Sequence, residues 1–275
     1  MSLSVITLNH EREDFIANQI PALAKQAQSC GATIEHLLIN VETKGFPDQD
    51  YNNDNYTLVQ YTIPMASDGR FPYARARNTG AERAKYEQLL FLDADCVPAE
   101  GFLEHYLESI SHCSDGVVSG HAWYMRQGAR LEDMSLQLQA QTQYYHPGLD
   151  IRAPQVAART DSWEQFSSIH FACTQKVFNA IGGFDENFTG YSGEDSDFGQ
   201  QLKAQKIPLF ANKAEVYHQY HKPSGAPFGL IKEFIHNANY FASKWGFLPG
   251  RSWIETFKKE GLLTEEEGRL VYTDQ

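Results

Sequence analysis

The sequence predicts an α/β fold with a largely parallel sheet, and three observations lead there. Apolar runs of strand length alternate with helix-length segments through the first hundred residues, the rhythm of βαβ units. Gly31 and Pro64 punctuate that rhythm where a helix and a strand should stop. Two carboxylates, Asp93 and Asp95, follow directly on an apolar run, the place where open α/β sheets hold their ligands.

In chain order, Ser4 to Leu8 reads as a short buried strand and Asp14 to Cys30 as a helix. Glu35 to Val41 (EHLLINV) and Thr57 to Ile63 (TLVQYTI) supply the second and third strands. Ala74 to Tyr86 is an Ala- and Arg-rich helix, and Leu89 to Leu92 is an apolar run of strand length. Phe102 to His112 predicts a helix, Gly116 to Tyr124 (GVVSGHAWY) a strand, and residues 131–145 (LEDMSLQLQAQTQYY) a polar amphipathic helix. Residues 146–165, with Pro147, Gly148 and Pro154, read as a long loop, either a lid or acceptor-binding segment or simply a disordered stretch. A further helix opens at the acidic residues after Gly193 and runs to about Lys206, and Leu209 to Val216 is strand-like. Residues 225–275 read as a helical tail whose many aromatics serve mostly as core.

The chain has 275 residues, is 42% hydrophobic and carries 23 Lys and Arg against 35 Asp and Glu, a net charge of −12. That composition excludes a disordered chain, and the acidic balance speaks against nucleic acid as a partner. No apolar stretch reaches the ~20 residues of a membrane span, so peripheral contact is the only membrane association expected. No signal peptide is legible at the N-terminus, and Cys30, Cys96, Cys113 and Cys173 show no CxxC spacing, which together predict a cytoplasmic protein with free thiols.

Four motifs carry chemistry. Phe91-Leu92-Asp93-Ala94-Asp95 places two carboxylates at the sheet edge, where hard divalent cations take oxygen ligands. Ile181-Gly182-Gly183-Phe184-Asp185-Glu186 leads through Gly190-Tyr191-Ser192-Gly193 to Glu194-Asp195-Ser196-Asp197-Phe198. Carboxylates in a first helical turn are favoured by the helix dipole whatever their function, and one facing a pocket also serves as a general base. His218 and His221, three apart, form a candidate pair of metal ligands opposite Asp93 and Asp95. Arg70, Arg75 and Arg77 of RFPYARARNTG offer a phosphate clamp or a solvated basic face.

Taken in order, RxRNxGA, FLDAD, GGFDExFxGYSGEDxDF and HxxH resemble the GT-A glycosyltransferases, and more narrowly glycosyltransferase family 2, over about residues 3–222. The later part is similar to the galactosyltransferase and N-acetylgalactosaminyltransferase group. The resemblance implies a Rossmann-like mixed sheet flanked by helices. Residues 1–98 would then form the nucleotide-sugar-binding half and 99–222 the acceptor and catalytic half, with a helical extension over 223–275. It implies that Asp93 and Asp95 bind the Mn²⁺ or Mg²⁺ that bridges the diphosphate of a nucleotide sugar, Asp95 being the closer ligand. His218 or His221 completes the coordination. Arg77 and Asn78 match the segment that contacts the nucleotide sugar, and Asp93, Ala94 and Arg75 are placed with it. Glu42 stands where many relatives carry an acidic DDGS-type run, and Asn9 and Arg12 face the nucleotide from a first loop without the usual Pro-x-Tyr-Asn, with UDP the expected nucleotide. Asp195 matches the carboxylate that deprotonates the acceptor hydroxyl, and Glu194 would hydrogen-bond a sugar. The acceptor implied is a glycan or glycolipid, and one direct displacement inverts the anomeric centre. Two rival readings are a phosphatase of the haloacid dehalogenase type, since LFLDADCV also fits hhhDxDxV with Glu194, Asp195 and Asp197 as its acidic metal-binding motif, and an inactive sugar-binding module.

Overall fold

The computed structural model describes residues 1–43, 45–46, 51–129, 140–144, 156–160, 162–221 and 228–273. Its first half follows the expected rhythm: β1 (Ser2–Asn9), α1 (Glu13–Cys30), β2 (Thr33–Val41), β3 (Tyr56–Ile63), α2 (Tyr73–Arg83), β4 (Gln88–Leu92). Helix α1 forms because Ile16, Ile20, Leu23 and Ala27 recur at helical spacing on one buried face, and Gly31 ends it in the left-handed conformation at φ 65°. Strand β1 is buried along most of its length because helices cover both sheet faces. Leu3 and Val5 join an apolar cluster under α1, while Ile6 joins the opposite one under α2.

The second half comprises β5 (Cys96–Pro98), α3 (Phe102–His112), β6 (Val117–Met125), β7 (Ala140–Tyr144), β8 (Ala157–Arg159), β9 (His170–Thr174), α4 (Gln175–Ile181), α5 (Glu194–Gln205) and β10 (Leu209–His218). The ten-stranded sheet runs β3-β2-β1-β4-β9-β6-β10-β5, with β7 on β6 and β8 on β10. It is parallel from β3 to β4 and between β6 and β10, and antiparallel where β9 joins β4 and β6. The sheet is therefore mixed, as the family resemblance implies, where the strand–helix rhythm of the first half alone suggests a largely parallel one. Among the described residues strand β9 follows β8 and a 3-10 turn rather than an α-helix, and it returns beside β4, which the strand–helix rhythm of the first half does not announce.

Three further expectations change. Of the helix expected over 131–145, Ala140–Tyr144 is instead a strand paired antiparallel with β6, and residues 131–139 and 145 lie outside the described residues. Its Thr and Tyr content suits a strand, and the part of β6 beyond its pairing with β9, Ala122 to Met125, supplies the partner. Within the long loop of 146–165, Ala157–Arg159 pairs with β10 and Trp163–Gln165 forms a 3-10 turn; residues 146–155 and 161 are not described. The tail is helical only through α6 (Ile231–Trp245) and α7 (Arg251–Lys259). It then turns into a hairpin of β11 (Leu263–Glu266) and β12 (Arg269–Tyr272). The two connecting residues, Glu267 and Gly268, both have positive φ (49° and 78°), the geometry that closes a two-residue hairpin.

Aromatic packing fixes the site motifs to one core. Phe91 of FLDAD stacks on Phe171 at 4.5 Å, and Phe184 of GGFDE stacks on Phe198, three residues after Asp195, at 4.4 Å. Phe91 and Phe184 meet edge to face at 6.2 Å. Each buried ring contributes about 1.5–3 kcal/mol, so the two acidic motifs are anchored from beneath by the same cluster.

Candidate active site

A cavity of about 820 Å³ opens at the carboxyl end of β4. Arg12, Arg77, Asp93, Ala94, Asp95, Glu194, Asp195, His218 and His221 line it, nine residues brought together from five separate segments.

Backbone pairing places the acidic turn against the histidines. Strand β5 pairs antiparallel with β10, Cys96 opposite His218, so Asp95 and His218 end on one edge. Asp95 lies 3.5 Å from His218 Nε2 and 3.2 Å from His221 Nε2. Candidate ligand atoms of Asp95, His218 and His221 all fall within 4.8 Å of one another, a separation one divalent ion spans, and together they offer one carboxylate and two imidazole donors. Burial pushes the Asp95 carboxyl up, but the hydrogen bond from His221 and the charges of both histidines outweigh it and hold it below the usual range. Burial holds His218 below the usual imidazole value, and Asp95 only partly offsets that. A neutral imidazole and an ionised carboxylate are the ligand forms a cation takes.

Helix α1 registers both ligand-bearing turns, a feature with no recognisable motif. Gln19, fully buried, donates from Nε2 to the carbonyls of Asp93 and Cys96, each at 2.8 Å, spanning the DAD turn. Gln219, between the two histidines, donates from its backbone to Asp95 O at 2.8 Å and from Nε2 to Phe15 O at 3.1 Å. It also accepts from Asn18 at 2.7 Å.

The second group centres on Arg77, which is 4% exposed. Its guanidinium reaches Glu194 at 3.1 Å, Asp93 at 3.6 Å and Asp195 at 3.9 Å, and lies over the ring of Phe184 at 5.1 Å. Glu194 is pushed up to about 7, by burial first and by Asp195 second, with Arg77 pulling the other way. Burial and the surrounding carboxylates likewise raise Asp93 well above its usual value against the pull of Arg77. One arginine facing three carboxylates leaves the cavity short of positive charge, and a cation relieves that. Asp195, by contrast, is 34% exposed, and Ser168 donates to it from its hydroxyl at 2.5 Å and its backbone at 3.3 Å.

The turn delivering Glu194 and Asp195 is conformationally demanding. Ser192 and Gly193 have φ of 68° and 100°, the left-handed region that explains the glycine. Asn237 of α6 holds this turn, lying within hydrogen-bond distance of the carbonyls of Thr189 (3.0 Å), Tyr191 (3.1 Å) and Ser192 (2.8 Å). Asp197 is fully buried beneath, salt-bridged to Lys244 at 2.8 Å and bonded to Trp245 Nε1 at 2.7 Å.

Four anticipated donor contacts point elsewhere in this structure. Asn9 bonds Asn40 at 2.8 Å and ties β1 to β2. Asn78 donates to Phe184 O and accepts from Phe184 N, both at 2.9 Å, shaping the GGFDE turn. Arg75 donates to the carbonyls of Pro64 and Met65, and Glu42 accepts from the Met65 backbone at 3.1 Å. None of the four is a lining residue of the cavity.

Residues 3–248 match the family model described as glycosyltransferase like family 2. Over 232 residues the chain is 23% identical to a validoxylamine A glucosyltransferase of Streptomyces hygroscopicus subsp. jinggangensis, covering 77% of this chain and 53% of that one. It is 29% identical over 153 residues to a pre-mycofactocin glycosyltransferase of Mycobacterium tuberculosis, covering 50% of this chain and 29% of that one. The chain thus spans about half the length, or less, of these curated relatives. Among solved structures, GalNAc-T7 with UDP, GalNAc and Mn²⁺ superposes with a TM-score of 0.57 at 16% identity, over 94% of this chain and 54% of that one. S. aureus TarS superposes at 0.55 and 16%, over 86% and 39%. At that identity the superpositions establish a shared GT-A fold. With a family match over nearly its whole described length, the chain belongs to the glycosyltransferase like family 2.

Proposed function

We propose that the chain is a metal-dependent, inverting glycosyltransferase that moves a sugar from a UDP-sugar to a hydroxyl of a glycan or glycolipid. The observation that carries this reading is one cavity holding both the Asp95, His218 and His221 cluster and an accessible carboxylate, Asp195. The donor class is supported by GalNAc-T7, solved with UDP and Mn²⁺, and by TarS residues 1–349, solved with UDP.

Asp95, His218 and His221 would hold the cation, Mn²⁺ or Mg²⁺, which when bound neutralises the departing diphosphate. Asp93 stands on the Arg77 side and is assigned to the nucleotide sugar rather than to the ion cluster. Arg77, fixed by Glu194 and Asp93, adds a positive charge that needs no reorganisation during reaction. Asp195 takes the proton of the acceptor hydroxyl as its oxygen bonds to the anomeric carbon and the bond to the diphosphate breaks. The hydroxyl and backbone N–H of Ser168 aim that carboxylate. A single displacement of this kind inverts configuration. Residues 1–222 would form the catalytic unit, with 223–275 packed on it.

The test is turnover of a UDP-sugar, read as release of UDP with Mn²⁺ present. Release that EDTA abolishes and that Asp95→Ala lacks supports the reading. UDP binding without turnover of any sugar nucleotide would favour an inactive sugar-binding module.

A further inference from the structure

The family match ends at residue 248, yet the cavity does not end there: Gly250, Ser252 and Trp253 also line it. Trp253 belongs to α7, so a segment outside the family pattern forms part of the wall shared with Asp195. Its indole is half-buried and stacks on Tyr191, centroids 5.7 Å apart and planes 26° apart. Phe234 meets it edge to face at 5.7 Å and 69°, fixing its orientation from behind. Tyr191 lies in the turn that Asn237 holds, three residues before Glu194. The aromatic pair is therefore rigid and directly linked to the turn that carries the base.

We propose that Trp253, backed by Tyr191, is the platform for the acceptor sugar, and that the acceptor unit seated there is a neutral pyranose with one apolar C–H face. The inference rests on the functional reading above and deepens it. Two arguments select the occupant. Flat aromatic surface beside carboxylates and hydroxyls matches the C–H face of a pyranose, while the polar groups around it take the sugar hydroxyls. Charge then removes anionic sugars: the same wall carries Asp195, the accessible carboxylate assigned as the base, and a uronate beside it would meet like charge. Because Trp253 lies outside the family pattern, it is also where a specificity particular to this chain can reside.

The experiment is saturation-transfer NMR on the full chain with UDP and Mg²⁺. The probes are methyl glycosides of glucose, galactose, N-acetylglucosamine and xylose, with methyl glucuronide as the anionic control. Ring C–H protons of at least one neutral glycoside should receive saturation, and the glucuronide should not. Trp253→Ala should weaken that neutral glycoside about tenfold while leaving metal-dependent UDP affinity unchanged, and Trp253→Phe should restore most of the loss. Retained UDP affinity also shows that the variant is folded. An unchanged signal in Trp253→Ala, a preference for the glucuronide, or no signal from any neutral glycoside overturns the platform. Failure of the wild-type chain to bind UDP overturns the functional reading instead.

Discussion

Replacing Gln19 by methionine should loosen the acidic turn without touching any group that meets a ligand. Proton directions around Gln19 follow from its contacts. Nε2 faces two carbonyls, so it is the donor end, and Oε1 must accept from the Thr7 hydroxyl at 3.0 Å. Thr7 has then used its only hydrogen, so His36 Nε2, 3.0 Å away, donates to it. The neutral ring leaves His36 Nδ1 to accept from Tyr56 Oη at 2.6 Å. Methionine keeps the length of glutamine and removes three hydrogen bonds, worth together roughly 3 kcal/mol. At roughly 2–4 °C per kcal/mol for a large domain, melting should fall by about 6–12 °C. Calorimetric Mn²⁺-dependent UDP binding should weaken at a temperature where the variant is still folded, because Asp93 and Cys96 flank the ligand turn. A Gln19→Met protein that melts with the wild type and binds UDP as tightly would refute the chain of bonds drawn here.

Three shorter predictions accompany it. Asp195→Asn should cut transfer by about 10²–10⁴-fold, the usual worth of a general base, while UDP affinity holds; near-normal transfer would place the base elsewhere. Lys244→Met strands the fully buried Asp197 carboxylate and should lower stability by about 3–5 kcal/mol in urea titration, whereas a neutral outcome would mean that Trp245 and Gln201 suffice. Burial holds His36 at about 3, so its unfolded form protonates first as pH falls below 6.5. The stability it contributes is therefore complete above pH 6.5 and is lost toward pH 3, by about 2 kcal/mol at pH 5. Glu194, raised to about 7, acts in the opposite sense, so the quantity to measure is the difference between wild type and His36→Gln. That difference should shrink from pH 7 to pH 5, and a constant difference contradicts the assignment.

How much was legible in the sequence divides by physical cause. Strands β1 to β4 and helices α1 to α3 were readable because each follows local periodicity. FLDAD and GGFDE…GEDSD were readable as chemistry because their spacing and order are specific, and they pointed to the family that the match bears out. Strands β5 and β9 were not readable, since their identity depends on partners far away in sequence. Periodicity misled at residues 140–144, where the part of β6 beyond β9 decided, and the Glu267–Gly268 turn closes a strand pairing that a helical reading of the tail does not contain. The phosphatase rival drew on LFLDADCV and the acidic run Glu194, Asp195 and Asp197, and has no place for a match over residues 3–248. Asn9, Asn78, Arg75 and Glu42 stand in motif-like segments, but here their polar atoms bind backbone and neighbouring side chains around the cavity walls. Gln19, Gln219 and Asn237 lay beyond sequence reasoning: a buried amide has no pattern until the turns it bridges are known.

The most direct test of the central claim is calorimetric titration of UDP into the full chain with Mn²⁺, repeated after EDTA and with Asp95→Ala. The geometry of Asp95, His218 and His221 predicts saturable one-site binding with Mn²⁺ that collapses in both other arms. UDP bound with the same affinity in EDTA, or by Asp95→Ala in Mn²⁺, would contradict a metal-held nucleotide at this site.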